Sequence, residues 1–215
     1  MCPDISPGPG LQARRQSSPE ISCEVTVSTA SVLIASRADP YRILVAVSQK
    51  HPHPVIPGGK VELADLARDA GVPGLSCVLR ETLEEIGTCL MSARFIGMAR
   101  DPDRDIRVVP VQKLMGALVS PPLAGDISPA SMIKAHYGCP DYIFTGWVEE
   151  SCIRATEELK RLRFVDLRSL APGDLSAGHD VIAYAYLKML DEKQTALSAD
   201  ALSDFGRMRE EWARR

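Results

Sequence analysis

The chain has 215 residues, longer than one average domain and shorter than two, so a single domain with extensions is expected rather than two equal halves. Apolar residues at 45% and charged residues at 25% exclude a collagen-like, wholly disordered or disulfide-scaffold chain. Lys and Arg number 25 against 28 Asp and Glu, leaving a formal charge of −3, so no chain-wide basic field exists to hold a nucleic-acid backbone, and aromatics at 5% are few for reading bases along a strand.

Residues 1–22 are rich in Pro, Gly and Ser, which cannot bury enough surface to offset their ordering entropy, and read as a flexible leader. They lack the apolar stretch of a signal peptide, and no run of about 18 apolar residues suggests a membrane span. The six cysteines stand at unrelated spacings with no Cys-x-x-Cys pair, as reduced thiols of a cytoplasmic protein would. Residues 24–34 and 41–47 are β-branched runs separated by the turn-forming Arg37-Ala38-Asp39-Pro40, which predicts two strands in a hairpin. His51 to Glu62 is broken by prolines and a Gly-Gly pair, and His51 and His53 read as solvent-exposed loop histidines. A short helix is expected after Leu63, ended by Gly71-Val72-Pro73-Gly74.

From Leu75 the period changes. Leu75, Leu79, Leu83 and Ile86 paint one apolar stripe of a helix that Gly87 would cap, and that stripe is expected to face the core. Strands are expected at 94–98, 108–119, 142–148 and 163–167, with 120–140 as a Pro/Gly-rich connection long enough to suggest a lid or insertion. Tyr142 and Trp147 read as core aromatics before base-stacking ones. A helix is expected at 179–190 and a more polar helical tail within 193–215, whose Leu202, Phe205, Met208 and Trp212 would pack on their own domain or on a second copy in a homodimer. Mixed elements without strict alternation indicate an α/β or α+β sandwich.

On the 75–86 helix, Glu81, Glu84 and Glu85 cluster largely away from the leucine stripe. Like charges at that spacing repel, and a hard divalent cation reverses the sign because Mg2+ takes oxygen ligands. Upstream, Gly58-Gly59 permits backbone geometries that bring main-chain oxygens close to a metal or phosphate.

Together, Gly59 and Arg80-Glu81-Thr82-Leu83-Glu84-Glu85-Ile86-Gly87-Thr88 resemble the signature of the Nudix hydrolase family, in its ADP-ribose pyrophosphatase-like branch. The resemblance implies an α/β/α sandwich with a mixed β-sheet over residues 23–192. Three departures accompany it: the gap between the halves is seven residues too long, an excess assigned to the loop within 66–74; Asp65 stands where the signature has Glu; and Thr82 and Thr88 replace aliphatic residues. The resemblance further implies Mg2+, with Mn2+ as a substitute, held by Glu81, Glu84, Glu85 and a main-chain oxygen of Gly58 or Gly59. Arg80 would fix a carboxylate, and water made more acidic by the metal would attack a phosphorus. Glu81 is one choice of general base; Glu157 or Glu158, preceding the 163–167 strand, is preferred over Glu149 or Glu150 as the other.

Arg100-Asp101-Pro102-Asp103-Arg104-Asp105-Ile106-Arg107 resembles the Arg-Asp-Pro-Arg loop of ADP-ribose pyrophosphatases, which makes Arg100, Arg104 and Arg107 candidate substrate ligands beside Lys60 and Glu62. The implied activity is hydrolysis of the diphosphate linkage in a small nucleoside diphosphate derivative, ADP-ribose or a nucleotide sugar. The alternatives are a non-catalytic nucleotide-sensing domain, or a pyrophosphohydrolase of damaged nucleoside triphosphates.

Overall fold

Strand β1 (Ile21–Ile34) is the axis of the computed structural model, which describes residues 21–69, 71–125, 127–198 and 202–215. The expected leader therefore lies outside the described residues except at its last two, which already belong to β1. The mixed sheet runs β3 (Gly58–Lys60), β1, β7 (Met132–Trp147), β4 (Met91–Ala99), with β1 and β7 parallel. Strand β5 (Ile106–Pro110) pairs the first half of β7, and β6 (Val119–Ser120) pairs β1.

Alternation along β1 builds two cores. Ala30, Val32 and Ile34 pack with Phe144 of β7 against Cys77, Val78 and Ile86 of helix α2 (Leu75–Ile86). Leu33, with Ile143 and Ile96, faces helix α3 (His179–Asp191) and helix α4 (Phe205–Ala213). The result is an α+β sandwich with a helix layer on each sheet face. Further along the second face, Val25 and Val27 of β1 join Ile133 and Ala135 of β7 in a third cluster. Between these two clusters lies a polar belt, in which Asp141 accepts hydrogen bonds from Thr29 (2.9 Å) and Ser31 (2.8 Å).

Several expectations are corrected. Strand β2 (Arg42–Ser48) forms no hairpin ladder with β1 beyond the single bridge of Ala35 to Ile43; it pairs antiparallel with β8 (Leu159–Asp166) in a separate two-stranded sheet. Both edges of β1 are taken by β3, β6 and β7, which leaves β2 to find another partner. The 108–119 strand stops at Pro110, after which a 3-10 turn covers Val111–Leu114. The connection expected through residue 140 ends at 131, because β7 begins at Met132 and passes through a bulge where Gly138 has φ 76°. In α4, Phe205, Met208 and Trp212 are buried, Trp212 stacks on Tyr184 of α3 at 4.9 Å, and the apolar stripe of the tail finds its cover within the chain. Among the described residues no helix is long and apolar enough to cross a membrane, and Cys23, Cys77, Cys89, Cys139 and Cys152 are free thiols.

The main surprise is the rotation of α2. Its bounds match the expectation, but Leu79 (41%) and Leu83 (54%) are exposed, while Cys77, Val78, Thr82, Glu85 and Ile86 face inward.

Candidate active site

The rotation of α2 turns its carboxylates toward the glycine strand β3. Glu85, 7% exposed, accepts a hydrogen bond from the Gly58 amide at 3.0 Å. Burial pushes its carboxyl up to about 8, the Gly58 amide opposes that shift, and the neighbouring charges of Glu81 and Glu158 add to it. Glu81 is also raised by burial, with Arg80 pulling it back. Gly58 must be glycine, since its φ is +152° and a Cβ there would stand 2.3 Å from the Ala30 carbonyl, and a Cβ on Gly59 would stand 2.0 Å from Glu81 Oε1 and push that carboxylate from its place.

Arg80 ties the cluster together. Its Nη1 donates to Glu81 (2.8 Å) and Glu84 (3.2 Å), and its Nη2 to Asp65 (3.0 Å) and to the Lys60 carbonyl (3.2 Å). Asp65, 2% exposed, also receives the Glu62 amide at 3.0 Å, which starts the one-turn helix α1 (Leu63–Leu66). The acid that departs from the signature is thus a buried anchor for Arg80. The extra residues leave α2 undisturbed because Asp69 accepts from the amides of Gly74 (2.8 Å) and Ser76 (2.6 Å), capping the helix.

The other candidates divide. Glu158 lies 4.0 Å from Lys50 Nζ, and its charge acts on both Glu81 and Glu85. Its loop is held against α2 by Thr156, which donates to the Glu85 carbonyl at 3.0 Å. Glu157 is exposed, and Glu150 is engaged by Ser36 at 2.8 Å. Lys60 reaches away from the cluster to the Lys113 carbonyl (2.8 Å), and Glu62 is exposed at the α1 cap.

The three arginines have three different fates. Arg100 is exposed, with its guanidinium beside Met98. Arg104 turns inward, its side chain 4% exposed, donating to Asp141 (2.5 Å) and to the Ala177 carbonyl (2.5 Å) under the Phe205 ring. It therefore completes the polar belt instead of reaching for substrate, because a carboxylate already held by Thr29 and Ser31 outcompetes water for a fixed guanidinium. Arg107 stays at the rim against Tyr137 and His51.

Sequence reasoning missed His179, whose Nδ1 accepts from the Ile56 amide at 3.1 Å and which burial keeps well below the ordinary histidine pKa. It also missed Asp141; the only available signal was a lone acid opening an apolar strand. An open cavity of about 460 Å3 between α3 and α4 lies away from the carboxylates, and its lining charges pair with each other, Lys188 with Glu211 and Arg215 with Asp191.

Among the described residues no three His, Cys, Asp or Glu side chains converge as a ready metal cage, since Arg80 engages Glu81 and Glu84 while Gly58 engages Glu85. The donor chemistry nevertheless fits a hard divalent cation. Arg80 holds Glu81 and Glu84, the charges of Glu81 and Glu158 act on Glu85, and burial opposes charging Glu81 and Glu85.

No protein-family model matches the chain, and no curated protein matches it. It is similar to solved structures of Nudix hydrolases. One is a Nudix hydrolase family member of Chromobacterium violaceum, at 16% identity over 79% of this chain and 81% of that one, with a TM-score of 0.46. Another is a MutT Nudix hydrolase of Burkholderia pseudomallei, at 19% identity over 74% and 95%, with a TM-score of 0.44. A third is a Nudix hydrolase of Nitrosomonas europaea, at 11% identity over 80% and 76%, with a TM-score of 0.47. Likeness at this level assigns no role to any residue of this chain.

Proposed function

We propose that the protein is a divalent-cation-dependent hydrolase of the diphosphate linkage in nucleoside diphosphate derivatives, with ADP-ribose or a nucleotide sugar as substrate and the cytoplasm as its place of action. The observation that carries this reading is the meeting of the buried Glu85 and the largely buried Glu81 with strand β3, where Gly58 has a positive φ and no room for a Cβ against the Ala30 carbonyl. Glu81, Glu84, Glu85 and a main-chain oxygen of Gly58 or Gly59 would hold Mg2+, or Mn2+ in its place. The cation, when bound, neutralises charge on the diphosphate oxygens and makes water more acidic.

The chain's own residues do the rest. Arg80, anchored on Asp65, fixes the direction of Glu81 and Glu84. Glu158 takes the proton of the attacking water in preference to Glu157, because its charge is felt by both inner glutamates. Glu81 is the other candidate, and a pH profile of Glu158→Gln separates them. The test is a Mg2+ and Mn2+ hydrolysis screen over ADP-ribose, nucleotide sugars and nucleoside triphosphates. AMP plus a sugar phosphate is expected from ADP-ribose. If no compound is cleaved with either metal, the reading is lost; if triphosphates alone yield pyrophosphate, the substrate class is wrong.

A further inference from the structure

We propose that the Thr156 hydroxyl is a positioning group that sets Glu158 beside the inner glutamates by clamping the 156–159 turn to the last turn of α2, an inference that rests on the diphosphate-hydrolase reading above. A helix leaves its last carbonyls without partners of its own. On α2 one loop takes two of them: Thr156 Oγ donates to the Glu85 carbonyl at 3.0 Å, and the Arg154 amide donates to the Ile86 carbonyl at 2.9 Å. The residue whose carboxylate meets the Gly58 amide is therefore also the residue whose carbonyl receives Thr156.

The hydroxyl works in both directions. While it donates to Glu85 it accepts from the Leu159 amide at 3.3 Å, and the Thr156 amide donates to the Leu159 carbonyl at 3.0 Å. One O–H donor and one lone pair are in use, a combination that Ser can repeat and that Val or Ala cannot. Leu159 closes the turn from the other side. It is 2% exposed, packs with Ala46 and Val55, and stands opposite Ser48 in the ladder of β2 and β8. The turn is thus fixed to α2 at one end and to β2 at the other.

Glu158 sits inside that turn. Its ion pair with Lys50 spans 4.0 Å between side chains that are 62% and 68% exposed, too loose a tie to fix a carboxylate. Its charge nevertheless acts on both Glu81 and Glu85, so its place is set from the backbone. Thr156 stands two residues away, and at most about 7 Å of extended chain separates the clamp from the acid. A general base must lie within hydrogen-bond reach of the water it deprotonates, and a misplacement of about 1 Å can cost about 100-fold in rate.

The test measures kcat and KM on the full chain with Mg2+ and ADP-ribose, or the nucleotide sugar cleaved fastest in the screen above. The variants are Thr156→Val, Thr156→Ser, Glu158→Gln and the Thr156→Val/Glu158→Gln pair. Glu158→Gln is expected to lower kcat by at least about 100-fold. Thr156→Val is expected to lower it about tenfold with KM within about twofold, and Thr156→Ser to stay within about twofold of the wild type. In the Glu158→Gln background, Thr156→Val is expected to cost less than about twofold, because the acid it positions is gone. Equal losses in the two backgrounds overturn the proposal, as do an unchanged kcat in Thr156→Val, a serine variant as slow as the valine one, or full activity in Glu158→Gln. If Thr156→Val does not fold, Thr156→Ala takes its place in the cycle. Exchange of the Leu159 amide, followed by NMR without substrate, is expected to quicken about tenfold in Thr156→Val and to be restored in Thr156→Ser. If the wild type cleaves no diphosphate but this exchange pattern holds, the hydrolase reading has failed and the clamp stands. Exchange alike in all three chains overturns the clamp itself.

Discussion

Helices α2 and α3 cover opposite faces of one sheet and are held there by different physics. Ten of the thirteen residues of α3 are buried, nearly all of them apolar, and α4 closes over them with Phe205, Met208 and Trp212. Helix α2 buries five of its twelve residues, Glu85 and Thr82 among them, and leaves Leu79 and Leu83 in water. Apolar area docks α3. What orients α2 is a web of hydrogen bonds from Arg80, Glu85 and Asp69 to α1, β3 and the preceding loop. By burying Glu85 and Thr82 beside Cys77, Val78 and Ile86, α2 gives up part of the hydrophobic stabilisation that α3 has.

That contrast is open to attack from both sides. On α2, Glu81→Gln or Glu85→Gln is expected to cut metal-dependent turnover by at least about 100-fold, with the thermal midpoint of Glu85→Gln at pH 7 little changed because burial already favours the uncharged carboxyl there; an active variant breaks the assignment. On the other layer, Phe205→Ala is expected to cost about 3–5 kcal/mol by urea unfolding, with kcat of the folded fraction intact. Arg80→Met strands Asp65 in the interior, and a loss of about 3 kcal/mol is expected; adding Asp65→Asn should recover part of it, and an additive cycle would deny the pairing.

Smaller effects sharpen the same contrast. His179 is held neutral in the folded state by burial, with Arg104 and His51 adding to the effect, whereas the unfolded chain protonates it near its ordinary 6.5. Because its folded pKa is depressed, its contribution is present above about pH 6.5 and is lost as pH falls toward the folded value. His179→Asn should flatten that part of the urea-midpoint profile. The smallest change is expected from Leu83→Ser, within about 0.5 kcal/mol; a large loss would mean that the leucine face of α2 is covered in solution.

The sequence revealed more of the local architecture than of the pairings. The bounds of α2, its Gly87 cap, the carboxylate spacing and the helix at 179 are set by residues within a few positions of each other. The partners of β1, the inward turn of Arg104 to Asp141, and the docking of α4 on Tyr184 depend on residues 27 or more apart in the chain, or on which competitor occupies a strand edge. The leucine stripe misled for a related reason. Periodicity identifies two faces of a helix, and the choice of which one turns inward fell to β3, where glycines admit carboxylates at close range.

The belt of Thr29, Ser31, Asp141 and Arg104 crosses a sheet face with apolar clusters on either side, Val25 and Val27 in one and Leu33 in the other. Side chains are shared within each cluster, while only the strands run through both. Cooperative opening follows shared packing, so the two clusters are expected to open as separate units joined along β1 and β7. In amide exchange a single strand, β1, would carry two opening free energies, with the step between them at Thr29 to Ser31.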